Sequence, residues 1–240
     1  MADSHSKKKS GSRGKSGKRR SKRRSKRKSS RKRRSSRGPV WIPRTLLGDS
    51  VKGGIITSVE EIFANNYKVR EKEIFDILLP NIKETVVDIS MVQKQSDSGQ
   101  QSRFKAIVCV GNRNGYVGIA TSKTKEVGHG IRKAIAAAKL NIIPVKRGCG
   151  SWECNCGGDH SIPYTVHGKS GSVKVTLKPA AKGTGLVASA AARIPLDLVG
   201  IKDCYVHIKG NSKNAENTAK AIVNAFENAY KMMVPHDWTI

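Results

Sequence analysis

Apolar residues recur in strand-like and helix-like patterns only after about residue 40, and they predict a mixed chain of helices and strands. Ser58-Val-Glu-Glu61 is a capping-box pattern that predicts a helix leading to Phe63. A second helical stretch is expected to begin at Arg70 and to stop at Pro80. Residues 85–95 then alternate apolar and polar side chains, which is typical of a half-buried strand.

Two more strands and one long helix are predicted next. Residues 103–110 and 116–121 are expected to be strands on either side of a tight turn, whose Asn-Gly pair suits a positive φ. The polar residues 96–102 are expected to form a flexible hairpin tip. Residues 125–140 predict the clearest helix, because five apolar side chains share one face: Val127, Ile131, Ala134, Ile135 and Ala138.

A second small α+β unit is predicted after residue 148. Residues 172–178 and 204–208 are expected to be strands, and Asn214 is expected to cap a final helix. Residues 180–193 are small and glycine-rich. The chain is therefore expected to divide into a tail (1–38), an extension with helices (39–80), a first α+β domain (81–147), a connector (148–160) and a second α+β domain (161–240).

The charge of the chain is strongly positive and unevenly distributed. The sequence has 46 Lys and Arg residues against 18 Asp and Glu, a formal net charge of +28. Residues 1–38 hold 19 of the basic residues, one acid and almost no apolar residue, so this tail is expected to be disordered when free. An arm embedded in RNA is one interpretation of the tail, and a solvated tail for solubility or nuclear import is the other.

The amino-acid composition indicates the class of binding partner and the cellular compartment. Such an excess of positive charge favours a polyanion as the partner, and the aromatic content of 5% favours phosphate and shape recognition over base stacking. No stretch approaches the ~20 apolar residues of a membrane span, and the N-terminus lacks the apolar core of a signal peptide. Five Cys residues, three of them crowded together, do not resemble a secreted disulfide framework, so the cytosol is expected.

A basic cluster surrounds the start of the predicted helix at 125–140, and it consists of Lys123, Lys125, Arg132 and Lys133. Phosphate would relieve the repulsion between these side chains and the positive end of the helix dipole, although an ordinary solvated face is the alternative. Together with basic residues in the strands and loops, this cluster gives the candidate RNA contacts: Lys94, Arg103, Lys105, Arg113, Lys123, Lys125, Arg132, Lys133, Lys146, Arg147, Lys169 and Lys182.

The connector carries a candidate metal site. Cys149, Cys154, Cys156 and His160 lie within twelve residues among several glycines, and three thiolates with one imidazole suit tetrahedral zinc. A reduced, partly buried Cys loop is an equally good interpretation, because two thiolates separated by one residue chelate awkwardly. The two remaining cysteines, Cys109 and Cys204, are expected to be small core residues.

One glycine motif resembles a nucleotide site. Gly183-Thr-Gly-Leu-Val-Ala188 matches a dinucleotide fingerprint, and Asp203 follows at a suitable distance. However, residues 179–182 separate it from the preceding strand, and no series of βαβ units surrounds it. A tight glycine loop, or a close approach of the backbone to RNA, is the favoured interpretation. No nucleophile, base and orienting group can be assembled, so the chain is not expected to be an enzyme.

Ordered motifs in both halves of the chain carry a family resemblance. The first half has Arg103-Phe-Lys-Ala-Ile-Val-Cys-Val-Gly-Asn112, Asn114-Gly-Tyr-Val-Gly118, Lys125-Glu-Val127 and Ile131-Arg-Lys-Ala134. The second half has Gly168-Lys-Ser-Gly171, Leu177-Lys-Pro-Ala180, Gly183-Thr-Gly185, Gly200-Ile-Lys-Asp203 and Asn217-Thr-Ala-Lys-Ala221. From about residue 40 to 238 the chain closely resembles the small-subunit ribosomal protein family called S-five in bacteria and S-two in eukaryotes.

The resemblance implies a fold and a place of work. It implies a double-stranded-RNA-binding-like domain (α-β-β-β-α) followed by a small α+β domain with a left-handed β-α-β unit. It also implies binding to small-subunit ribosomal RNA beside neighbouring subunit proteins, near the site where messenger RNA enters, and a contribution to translational fidelity. The basic hairpin loop of the family falls at residues 94–103 and here holds only Lys94 and Arg103.

Location and an alternative function complete the expectations. The protein is expected in the cytoplasm within the small subunit, and in the nucleolus during assembly if the source is eukaryotic. The Cys segment resembles archaeal members, whereas the long Arg- and Ser-rich tail looks eukaryotic. A double-stranded-RNA-binding module that acts outside the ribosome is the alternative function.

Overall fold

The computed structural model describes residues 41–154 and 156–232. Three short helices come first: α1 (Leu46–Lys52), α2 (Val59–Ala64) and α3 (Glu73–Leu78). The capping function predicted for Ser58 is confirmed, because its hydroxyl accepts a hydrogen bond from the Glu61 N–H at 3.3 Å. The prediction that the tail over residues 1–38 is disordered lies outside the described residues.

The first sheet is antiparallel, with its four strands in chain order. These strands are β1 (Lys83–Ser96), β2 (Gly99–Gly111), β3 (Tyr116–Thr124) and β4 (Ile142–Pro144). Helix α4 (Val127–Leu140) connects β3 to β4 and packs against β2 and β3, as its apolar face predicts. In the turn after β2 the positive φ values fall on Arg113 (57°) and Gly115 (90°), so only the glycine of the Asn-Gly pair adopts one.

The hairpin tip predicted over residues 96–102 is wrong in its extent. The register of β1 with β2 continues as far as Ser96 opposite Gly99, so the tip itself is only two residues long. Polar side chains support the extra pairs, since the Gln100 amide donates to the Gln93 side-chain oxygen at 2.9 Å. Residues 96–102 are polar because both faces of this two-stranded ribbon are exposed to solvent, and not because the segment is a loop.

The second sheet contains one parallel pair. Its strands are β5 (Val166–Ser170), β6 (Val173–Pro179), β7 (Leu186–Val187) and β8 (Cys204–Lys209), in the order β5-β6-β8-β7. All neighbours are antiparallel except β7 and β8, which enclose helix α5 (Ala190–Val199) in a βαβ unit. Helix α6 (Ala215–Lys231) follows, and the predicted cap is confirmed because the Asn214 side chain accepts from the Asn217 N–H.

The two sheets share one hydrophobic cluster. Cys109 and Val117 of the first sheet pack with Leu177 of the second sheet and with Phe226 of α6, all of them buried. Cys109 and Cys204 are buried core residues as predicted, and burial raises the pKa of each thiol to about 12. Among the described residues, no helix is long and apolar enough to cross a membrane.

Candidate functional site

Four potential metal ligands converge in the loop that precedes β5. The Sγ atoms of Cys149, Cys154 and Cys156 and one ring nitrogen of His160 all lie within 4.8 Å of one another. The loop that carries them is closed at its base by a two-way backbone bridge between Gly148 and Ser161. The structure therefore brings together all four residues that the spacing predicts.

The imidazole of His160 is held in one orientation. Its Nδ1 lies 2.8 Å from Oδ2 of Asp203, and both residues are buried. Because a carboxylate oxygen accepts hydrogen bonds, the N–H at Nδ1 donates to Asp203. The Nε2 atom of the same ring faces the Cys154 sulfur at 3.7 Å. In a neutral ring with its proton on Nδ1, Nε2 carries the lone pair that binds a metal ion.

The thiols of this cluster differ in acidity. The backbone N–H of Lys182 and hydrogen bonding with Cys156 lower the pKa of Cys154 to about 6, so this side chain is a thiolate at neutral pH. Desolvation and hydrogen bonds with Cys156 and Cys154 raise the pKa of Cys149. One sulfur is thus ready to bind a cation, while a second sulfur would release its proton when a cation arrives.

The spacing of four such ligands fits zinc. In a tetrahedral site with Zn–S distances of about 2.3 Å, neighbouring sulfurs lie about 3.8 Å apart. The observed spread of 4.8 Å therefore requires side-chain shifts of under about 1 Å to close around an ion. Soft thiolates with one imidazole are a donor set that zinc prefers.

The glycine loop that resembles a nucleotide site is occupied by the protein itself. The N–H groups of Gly183 and Gly185 donate to Oδ1 of Asp203 at 3.0 and 2.8 Å. In a dinucleotide site such amides would face a pyrophosphate, whereas here they neutralise a buried carboxylate. The interpretation as a tight glycine loop agrees with this geometry. Asp203 therefore connects the glycine loop to His160 of the cluster. The sequence suggests this role only through the distance of Asp203 from the glycines.

A basic cleft adjoins the Cys/His loop. Its volume is about 620 Å³, and Cys156 and His160 form part of its wall. The cations that line it come from four separate segments: Arg113, Arg147, Lys182 and Lys202. The acids Asp159 and Asp197 also line it, and Arg113 contacts the carboxylate of Asp197 at 2.6 Å. Lys202 is absent from the sequence-based candidates, and only its place next to Asp203 would have suggested it.

A second basic surface lies at the start of α4. A cavity of about 390 Å³ is lined by Arg103 of β2 and by Lys123, Lys125 and His129. Arg132 and Lys133 are exposed on the next turn of α4. The structure therefore adds Arg103 and His129 to the cluster that the sequence predicts around this helix.

Several other candidate RNA contacts have partners within the chain. The Lys105 ammonium group lies 2.8 Å from a carboxylate oxygen of Glu216, with both side chains about four-fifths buried. Lys146 donates to the Met232 carbonyl oxygen at 3.0 Å. Lys94 on the β1–β2 ribbon and Lys169 on β5 are exposed to solvent. Lys94 and Lys169 thus present their charge outward, whereas Lys105 directs it toward α6.

Comparison with known families gives two matches in tandem. The family model described as "Ribosomal protein S5, N-terminal domain" matches residues 82–146. The model described as "Ribosomal protein S5, C-terminal domain" matches residues 168–234. The first match covers the first sheet with α4, and the second covers most of the second sheet with α5 and α6.

Similar proteins cover most of the described chain. A protein named small ribosomal subunit protein uS5 from Ignicoccus hospitalis is 50% identical over 198 residues, which is 82% of this chain and 94% of that protein. Proteins of the same name from Aeropyrum pernix and Staphylothermus marinus are each 52% identical over 82% of this chain. The match covers 91% and 92% of those two proteins, respectively.

Proposed function

The chain belongs to the family of small ribosomal subunit protein uS5, and on that premise we propose that it helps to form the site where messenger RNA enters the subunit and contributes to translational fidelity. As a member of this family it is a structural constituent of the small ribosomal subunit, binds ribosomal RNA, contacts other ribosomal proteins and is not an enzyme. The observation that carries the proposal is the shape of the β1–β2 ribbon. Strand β3 pairs with β2 only from Phe104 onward, so residues 93–102 project beyond the sheet.

Site-directed crosslinking tests the messenger RNA part. A photoreactive residue at Gln100, near the end of the ribbon, is expected to crosslink to messenger RNA in programmed ribosomes. The same residue at Lys213, which is exposed before α6, serves as the control position and is expected to give no such product. Crosslinks from position 100 that reach only ribosomal RNA would show that the ribbon lies elsewhere.

Two surfaces are proposed to contact ribosomal RNA. One is the basic cleft beside the Cys/His loop, and the other is the cationic surface at the start of α4. Cations from separate segments converge on the cleft, and this supports its assignment as an RNA contact. Positive charges placed around a concave surface repel one another, and a polyanion would relieve that repulsion. Lys94 and Lys169 are proposed as outlying phosphate contacts, since their side chains point into solvent.

Sedimentation distinguishes this proposal from a module that acts outside the ribosome. A subunit component is expected to remain bound to small subunits through a sucrose gradient at high salt, because many contacts with RNA and with neighbouring proteins keep it in place. A free double-stranded-RNA-binding module depends on a few phosphate contacts and is expected to wash off. Loss of the protein from otherwise intact subunits would favour the module.

We also propose the finer features of the fold and the location. The order of α3, three antiparallel strands and α4 supports a double-stranded-RNA-binding-like first domain. The β7–α5–β8 unit is proposed to be the left-handed β-α-β unit of the second domain. The proposed location is the cytoplasm, within the small subunit, with a nucleolar stage during assembly if the source is eukaryotic.

We propose that Cys149, Cys154, Cys156 and His160 hold one structural zinc ion. Converging ligand atoms, a His160 ring oriented by Asp203 and a Cys154 thiol with a lowered pKa support this assignment. Bound zinc would supply folding energy to a glycine-rich loop whose Trp152 is 93% exposed and gives it no local core. A ribosome map at side-chain resolution tests it. Four ligand atoms about 2.0–2.3 Å from a common density peak are expected, and sulfurs bonded to one another would contradict the site.

A further inference from the structure

The side chain of Asp203 accepts three hydrogen bonds next to the Cys/His loop. Its Oδ2 accepts from His160 Nδ1, while its Oδ1 accepts from the N–H groups of Gly183 and Gly185. Its own backbone N–H donates to the His160 carbonyl oxygen at 3.1 Å. The side chain is therefore fixed in a site where it is only 4% exposed.

The same glycine loop also touches a cysteine of the cluster. The backbone N–H of Lys182 helps to lower the pKa of Cys154, and the next residue along the chain, Gly183, donates to Asp203. Residues 182–185 thus lie beside one ligand and hold a second ligand, His160, through the Asp203 carboxylate. A metal ion would join Cys154 to His160 and so close this network into a ring.

We propose that Asp203 positions His160 for the metal and transmits metal occupancy to the glycine loop at residues 182–185. This inference rests on the zinc site proposed above. A carboxylate that accepts from a ligating histidine fixes the ring, sets its tautomer and raises its basicity. Because Lys182 lines the basic cleft, an ordered glycine loop also fixes one wall of that proposed RNA surface.

The substitution Asp203→Asn tests the role of the carboxylate with little change of shape. The asparagine oxygen can still accept from Gly183 and Gly185, which turns its NH₂ group toward His160 Nδ1. His160 must then accept at Nδ1 and carry its proton on Nε2, which removes the lone pair that binds the metal. Asp159→Asn is the matched control, because Asp159 lies next to His160 but on the cleft side.

The first measurement is zinc affinity of the purified full-length protein in competition with a chromophoric chelator. We expect Asp203→Asn to bind zinc about 10- to 100-fold more weakly than the wild type, and Asp159→Asn to stay within about twofold. Circular dichroism of the metal-free proteins is the check that the variant folds. If Asp203→Asn unfolds, the comparison is made in a His160→Cys background, where the affinity is expected to be independent of residue 203.

The second measurement is hydrogen exchange of the peptide that contains residues 182–185, with and without zinc. Zinc is expected to slow exchange of these amides in the wild type and to have a smaller effect in Asp203→Asn. A wild type that takes up no zinc would overturn the zinc site itself. Zinc uptake with equal affinities in both proteins would overturn the positioning role, and metal-independent exchange of the loop would overturn the transmission.

Discussion

The ammonium group of Lys105 on β2 lies 2.8 Å from Oε2 of Glu216 in the first turn of α6, so that an ion pair joins the first sheet to the last helix. Glu216 also accepts from Lys220 at 2.7 Å on its own helix. Hydrogen bonds from Lys105 and then Lys220 hold the pKa of the Glu216 carboxyl below its usual range. The charges of Lys105 and Glu216 are therefore both paired within the protein.

Glu216→Gln is expected to lower the free energy of unfolding by about 1–2 kcal/mol at neutral pH, because Lys105 loses its charged partner in a largely buried position. Since the folded pKa is depressed, the contribution is complete above the unfolded pKa of about 4.5 and is lost as pH falls through the folded value. Urea unfolding of wild type and variant over a series of pH values from 7 downward measures this difference.

Glu227→Gln on the same helix is the control. Glu227 contacts Lys231 at 2.9 Å, but both side chains are more than half exposed, so we expect a change below about 0.5 kcal/mol. Equal effects of the two substitutions at pH 7, or a Glu216→Gln effect that does not shrink as the pH falls, would contradict the structural role of the buried pair.

The sequence predicts those elements whose signals are local. Ser58 and Asn214 cap helices because a side-chain oxygen reaches an N–H group three residues later, and this geometry depends on no distant residue. Helix α4 is equally predictable from its apolar spacing. Helix α5 is missed, since Pro195 lies inside it and the segment that leads to it is rich in glycine. Burial of Ala192, Leu196 and Val199 against the second sheet decides its conformation.

The candidate site is predictable only in part for the same reason. Cys149, Cys154, Cys156 and His160 are close in sequence, so their spacing alone indicates a cluster. Asp203 lies 43 residues from His160, and the pairing of the two side chains is set by the place of β8 in the second sheet. Lys105 and Glu216 are 111 residues apart. No local pattern distinguishes a lysine with such a partner from one that faces solvent.

Gly118→Ala is expected to destabilise the fold by about 1–3 kcal/mol. A Cβ at this position of β3 would lie 2.3 Å from the Ala138 carbonyl oxygen, so the end of α4 would have to move away from the sheet. Gly128→Ala, in the first turn of α4, is the matched control because nothing lies within 4 Å of its added Cβ. We expect the control to be neutral or up to about 1 kcal/mol more stable in urea unfolding. Similar losses for both variants would contradict the close packing at Gly118.

Replacing residues 2–38 by an uncharged Gly/Ser segment of equal length is expected to flatten the salt dependence of RNA binding. This region carries 19 Lys and Arg residues, and each phosphate that they neutralise adds roughly 0.7–0.9 to the slope of log affinity against log salt. Filter binding over a series of salt concentrations measures the slope for both proteins. An unchanged slope would show that the tail makes no phosphate contacts and serves solubility or import.

Arg132→Glu with Lys133→Glu is expected to reduce incorporation into small subunits several-fold while the fold stays intact. Both residues are exposed on α4, and among the described residues neither forms a salt bridge, so reversal of their charge removes phosphate contacts without removing an internal partner. Lys139 on the same helix is the contrasting position, because it contacts Asp76 at 2.7 Å and Glu84 at 2.9 Å and is only 14% exposed. Lys139→Gln is therefore expected to lower the unfolding midpoint first and incorporation only as a consequence.

Incorporation is measured by competition between tagged variant and untagged wild type, as their ratio in gradient-purified subunits. Circular dichroism of the free proteins measures whether they are folded. Unfolding of the Arg132 and Lys133 double variant, or its normal incorporation, would show that this surface does not bind RNA as proposed.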